Sequence, residues 1–334
     1  MIRRPAACFA RDMRTLGLVL SAIATLIAGC EEGTSGALDA EVALPPAPTS
    51  GYADPRSGAP PTEPDEGDGV VPDVARRTAL RPTTMTVTAE TLDVAGVPRE
   101  YLLATPNGHD ATESYPLVLV LHPDAMDAAS MRAAARFETI SWQRAIVAYP
   151  TGMHGTWNLY EPTDKNPDDA FLLKLVDSLS SRLAIDPARV FGIGVSSGAF
   201  MLSQLACRRP SLFRAIAPNA GGAPYEPIDP AAGRWENGYV RCAGQTLGSG
   251  PAVMVVHGTA DDVVDFASGE FTARYWAYIN GCQPTRSAPA SPPPCARHDG
   301  CPAQRPVVFC PIQNLGHALW ADATRAAWEF FLSL

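Results

Sequence analysis

The sequence predicts an α/β fold, a mostly parallel sheet with helices on both faces, over residues 84–334. Three observations point there. Apolar runs recur at Leu117–Leu121, Ala145–Ala148, Val190–Ile193, Ala215–Ala217 and Ala252–Val256, and continuous runs of that length suit strands buried on both faces. Helical spacing fills the intervals between them, as in Phe171, Leu172, Leu175, Val176 and Leu179. Gly194-Val195-Ser196-Ser197-Gly198 joins one such strand to the helical pattern Ala199–Ala206, the context of a nucleophile elbow.

The chain opens on a segment of another kind. Arg3, Arg4, Arg11 and Arg14 precede an apolar run from Leu16 to Ala28, too short to span a bilayer and suited to a signal peptide's apolar region. Leu26-Ile27-Ala28-Gly29-Cys30 resembles a bacterial lipobox. A signal peptide over 1–29 and lipidation at Cys30 are therefore expected, with the product held at a membrane outside the cytoplasm or secreted. Arg3-Arg4 lies too far from the apolar run to form a twin-arginine signal. Residues 30–83 are rich in Pro, Gly, Ala and Ser, and their acids, among them Glu31, Asp39, Glu63, Asp65 and Asp68, are nearly unopposed by bases. Such a composition cannot offset the entropy of ordering, so a solvated tether is expected.

The folded part begins with two edge strands, Met85–Ala89 and Glu100–Thr105, before the alternating pattern. Helices are expected over Asp169–Leu183, Phe271–Ile279 and about Ala321–Leu332. Val307-Val308-Phe309 with Ile312 reads as the last strand. The chain has 334 residues, 46% of them hydrophobic, and a net charge of −9, enough to bury one large core. With no basic stripe, nucleic acid is excluded as a partner. No cofactor or metal is expected.

A serine hydroxyl attacks poorly until an imidazole takes its proton and a carboxylate holds that imidazole in the right tautomer. Ser196 is followed by Asp261, on the loop beyond the strand Pro251–Val256, and then by His317, on the loop beyond the last strand. Serine, acid, histidine is the α/β-hydrolase order. Asp262 and Asp265 compete for the acid role and read more simply as loop-solvating. His122 and His257 directly follow apolar strands and read as structural, while His154 lies in a Gly-rich loop.

Of eight cysteines, Cys8 falls in the signal and Cys30 at its end, leaving Cys207, Cys242, Cys282, Cys295, Cys301 and Cys310. An even number in an exported domain suggests disulfides, and Cys207 with Cys242 is one candidate pair. Four cysteines lie within Cys282–Cys310, where cross-links would fix a long loop next to His317. A zinc site using His298 would lack the paired Cys-x-x-Cys spacing.

The string from Asp168-Asp169-Ala170-Phe171-Leu172 through Ile185-Asp186-Pro187-Ala188-Arg189-Val190-Phe191, the serine elbow, Leu205-Ala206-Cys207 and Ala215–Gly221 together resemble the polyhydroxybutyrate depolymerase and feruloyl esterase (LpqC-like) family of exported hydrolases. Pro116–His122, Tyr149–Gly152 with Trp157-Asn158, His257–Asp261 and Gly316-His317 with Trp320 match further blocks in order, so the likeness runs from about residue 84 to the C-terminus. It implies carboxylic-ester hydrolysis with Ser196 as nucleophile, His317 as base then acid, and Asp261 orienting the imidazole. It also implies that Trp157 and Asn158 flank the substrate pocket.

The sequence departs from that family at the oxyanion loop, where His122-Pro123-Asp124 stands in place of the usual His-Gly. Proline has no N–H to offer. One oxyanion donor is expected from Ser197 N–H and the second from Asp124 N–H, with the Asp124 carboxylate a potential opponent of the developing charge. A slow or narrowly selective esterase is one expectation, and a surface-tethered binding protein that has lost catalysis is the alternative. The sequence stops directly after its last helix, so a soluble or oligomeric ester is expected rather than an insoluble polymer: a feruloylated or acetylated polysaccharide fragment, or a short hydroxyalkanoate.

Overall fold

The computed structural model describes residues 85–109, 112–141, 144–224 and 245–334, all within one unit, Val70–Leu334. The expected signal peptide, Cys30 and tether lie outside the described residues, as does Cys242.

Among the described residues, ten strands form a single sheet: β1 (Met85–Val94), β2 (Val97–Pro106), β3 (Tyr115–Leu121), β4 (Ile146–Pro150), β5 (Ile185–Val195), β6 (Ala215–Asn219), β7 (Ala252–Gly258), β8 (Ser287–Pro289), β9 (Ala296–His298) and β10 (Val307–Ile312). Their spatial order is β1-β2-β4-β3-β5-β6-β7-β10-β9-β8. The six central strands, β4 through β10, pair in parallel, with antiparallel strands at both margins.

Alternation along the parallel strands feeds two cores. In β3, Leu117, Leu119 and Leu121 join the core on one face, while Val118 and Val120 join the core on the other. Each strand side therefore meets apolar partners, and the uninterrupted runs of the sequence follow from this. On one face pack α3 (Pro167–Arg182), α4 (Ser197–Arg208) and α5 (Phe266–Ile279); on the other lie α1 (Ala128–Ala135), α2 (Phe137–Ile140) and α6 (Ala323–Leu332). Phe331 of α6 stacks on Phe191 of β5 with ring centroids 4.6 Å apart.

Helix starts are set by local chemistry. The Asn166 side chain accepts from the N–H groups of Asp168 and Asp169, Pro167 occupies the first turn, and both aspartates lie at the positive end of α3. Asp127 caps α1 and Asp265 caps α5 in the same way.

The structure differs from the sequence expectation at both sheet margins. β1 and β2 form a hairpin in full register from Met85↔Pro106 to Val94↔Val97. It turns at Ala95 and Gly96, both with positive φ, as a tight two-residue turn requires. β2 is also internal, since it pairs with β4. At the other margin the Cys282–Cys310 segment carries the short hairpin β8–β9, fastened by Cys282–Cys301 and Cys295–Cys310. Cys207 is disulfide-bonded too. Among the described residues no cluster of three or more His, Cys, Asp or Glu could hold a metal, and no helix is long and apolar enough to cross a membrane.

Candidate active site

Three loops at the carboxyl ends of parallel strands bring Ser196, Asp261 and His317 together. Ser196 joins β5 to α4 with φ 52° and ψ −121°, a strained backbone that persists only where its surroundings enforce it. The enforcement is visible in its two flanking glycines. A Cβ on Gly194 would stand 2.4 Å from the carbonyl oxygen of Gly198, and a Cβ on Gly198 would stand 2.5 Å from that of His122. Strand, helix and the loop after β3 therefore approach closely only because these side chains are missing.

Ser196 occupies the N-cap position of α4 yet makes no capping bond. Its Oγ lies 2.9 Å from His317 Nε2. A serine there ordinarily satisfies one of the helix's first N–H groups. Because the hydroxyl is turned to the imidazole, the N–H groups of Ser197 and Gly198 lack that acceptor and sit where the helix dipole is positive.

His317 Nδ1 is 2.9 Å from Asp261 Oδ2 and 3.1 Å from Oδ1. A carboxylate only accepts, so Nδ1 carries the proton and Nε2 presents its lone pair to Ser196. Burial alone would push the Asp261 carboxyl up, but the His317 hydrogen bond and the N–H groups of Val264 and Val263 hold it below the ordinary carboxylate value. Its rivals have other places: Asp262 is exposed, and Asp265 caps α5.

The loop after β3, where the second oxyanion donor is expected, is pinned from beneath. Fully buried His122 accepts from Gly152 N–H at Nε2 (2.9 Å), while its Nδ1 lies 2.7 Å from the Pro123 carbonyl oxygen. Burial lowers its pKa and keeps the ring neutral. Trp157 Nε1 donates to the His122 carbonyl oxygen at 2.8 Å. Asp124 is exposed, and its carboxylate accepts from the Thr156 hydroxyl at 2.5 Å.

Trp157 and Asn158, expected to flank the substrate, are anchored in the loop by their own hydrogen bonds. The tryptophan is 3% exposed, and its indole N–H is already engaged. The Asn158 side chain accepts from Tyr160 and Glu161 N–H. A loop this close to the core has to satisfy its own backbone groups first. His154 sits exposed in the short turn Met153–Gly155.

Sequence reasoning missed the group beneath that loop. Arg99, 4% exposed, donates to Asp168 (2.5 Å), to Thr151 O and to Pro167 O, while Asp168 Oδ2 accepts from Asn158 N–H. A buried pair of this kind fixes geometry more than it adds stability. The Asp168-Asp169 doublet opening a helix was its one visible trace.

No protein-family model matches the chain. Feruloyl esterase C of Emericella nidulans is 28% identical over 252 residues, covering 70% of this chain and 84% of the relative. Poly(3-hydroxyalkanoate) depolymerase C of Paucimonas lemoignei is 29% identical over 194 residues, 51% of this chain and 46% of the relative. Among solved structures, the acetyl xylan esterase from Aspergillus awamori superposes with a TM-score of 0.58 at 18% identity, covering 74% of this chain and 99% of that one. The chain has the α/β-hydrolase fold, and feruloyl esterase and polyhydroxyalkanoate depolymerase are the names the sequence blocks resemble.

Proposed function

We propose that this protein is an exported serine esterase that hydrolyses carboxylic esters through an acyl-enzyme. The observation that carries the reading is the unbroken line from Ser196 Oγ through His317 to Asp261, with links of 2.9 Å each. As Oγ attacks the ester carbonyl carbon, its proton passes to His317 Nε2, and Asp261 stabilises the imidazolium. The carbonyl oxygen becomes an oxyanion facing the start of α4, where Ser197 N–H donates. Asp124 N–H is the proposed second donor. Collapse breaks the bond to the leaving alcohol, which takes the proton from His317, and water then releases the acid by the same steps in reverse.

The relatives' names favour feruloyl or acetyl esters of polysaccharide fragments, or short hydroxyalkanoate esters. Lipidation at Cys30 would hold the enzyme at a membrane outside the cytoplasm, and the disulfides fit that compartment. A panel of p-nitrophenyl acyl esters beside methyl ferulate, acetylated xylan and hydroxybutyrate oligomers tests the reading. Turnover of at least one class that Ser196→Ala abolishes is expected. Folded protein inert toward all of them would favour the binding-protein alternative.

A further inference from the structure

A second histidine stands behind the acid. His257, at the end of β7, is 1% exposed. Its Nε2 lies 2.8 Å from the Val264 carbonyl oxygen and 3.3 Å from Asp261 Oδ2. Both neighbours can only accept, so Nε2 carries the hydrogen and donates it to the Val264 carbonyl oxygen, with the Asp261 carboxylate alongside. Nδ1 is buried without a partner among the described residues.

The contact closes a cycle. His257 holds the carbonyl of Val264, while the N–H of the same residue donates to Asp261 Oδ1 at 2.9 Å. Asp261 Oδ2 thus lies between two imidazoles, His317 on the substrate side and His257 on the core side. The ring has no room to turn: Gly269 of α5 packs so closely that a Cβ there would fall 2.5 Å from the ring's Cγ and Nδ1. Phe266 meets the ring edge-on with centroids 6.2 Å apart.

We infer that His257 is a positioning residue for catalysis, acting through Asp261: its Nε2–H holds the Val263–Val264 turn, whose N–H groups hold the carboxylate, so that His317 Nδ1 is kept toward Ser196. The carboxylate receives N–H groups from Val263, Val264 and His317, and His257 Nε2 stands 3.3 Å from it on the core side. Without the His257 N–H the Val263–Val264 turn is free to shift, and the carboxylate and imidazole shift with it. The role rests on the esterase reading proposed above.

The test measures the second-order rate at which a fluorophosphonate labels the full-length protein. In that step the Oγ–P bond forms, the P–F bond breaks and the serine proton passes to His317, so the rate reads the line directly and needs no natural substrate. His257→Gln places an amide nitrogen where Nε2 stood, whereas His257→Leu removes the donor. His257→Asn, which reaches only the Nδ1 position, serves if the leucine variant does not fold. Labelling by the glutamine variant within about threefold of wild type, and at least about tenfold slower labelling by the leucine or asparagine variant at a similar melting temperature, is the expected result. Equal labelling by all variants overturns the inference and leaves the esterase reading standing. Glutamine and leucine variants that fall together, in step with lost thermal stability, overturn it as well. A wild type that never labels removes the esterase reading and the inference with it.

Discussion

Gly198→Ala is a one-methyl perturbation whose consequence can be worked from the structure. The new Cβ would lie 2.5 Å from His122 O and 2.7 Å from Leu121 O, both backbone atoms, where ordinary contact begins at 3.4 Å. Something must move by about 0.9 Å. The loop after β3 cannot yield easily, because His122 is held by Gly152 N–H and its carbonyl oxygen by Trp157. The start of α4 moves instead, carrying Ser197 N–H and Ser196 Oγ. A misplacement near 1 Å costs about 10²-fold in rate, while overpacking of this kind costs about 1–3 kcal/mol of stability. The assay is kcat on p-nitrophenyl butyrate beside a melting curve. Folded protein with kcat down about 10²-fold is expected. A variant within threefold of wild type would show that the close approach of α4 to this loop does not set the donors' geometry.

Asp261→Asn should lower kcat by about 10³–10⁴-fold through loss of the correct His317 tautomer. Because the folded carboxyl titrates below its unfolded value, its contribution to stability is present above the ordinary carboxylate range and is lost as pH falls through the folded pKa. The stability gap between wild type and Asp261→Asn should therefore narrow on acidification, as followed by urea melts from pH 7 to pH 3. Replacing Cys295 and Cys310 by alanine removes a cross-link with a sequence separation of 15 residues. That should cost about 3 kcal/mol, read as a fall in Tm of roughly 6–12 °C in a domain of this size. Asp124→Asn keeps an acceptor for Thr156 but removes charge near the developing oxyanion, so kcat should rise about two- to fivefold, the scale of an exposed charge interaction.

What the sequence disclosed and what it withheld divide along physical lines. The elbow was legible because its glycines, its serine and the helix after it are contiguous, and the spacing itself encodes the geometry. Asp261 and His317 were legible because each follows an apolar strand, which fixes the sheet edge where its loop emerges. The hairpin β8–β9 was not, since strands of three residues in a Pro-rich stretch carry no period; disulfides and pairing to β10 hold them in place. α1 is a weakly patterned run of alanines ended by Arg136 in a left-handed conformation, and the Asp127 cap at its start is a short signal without helical periodicity behind it. Arg99 with Asp168, separated by 69 positions, meet only once the sheet is built. Trp157 and His257 show the same limit from the other side: residue type and neighbourhood were plain, yet the direction of one N–H, toward His122 O or toward Val264 O, is set only in the folded chain.

The most direct test of the central claim is intact and peptide mass spectrometry after fluorophosphonate treatment of wild-type protein and Ser196→Ala. One phosphonyl adduct on the peptide bearing Ser196, absent from the alanine variant and slowed in His317→Ala, is the predicted result. Folded wild-type protein that takes up no adduct, or that carries it on another residue, would contradict the assignment of Ser196 as nucleophile.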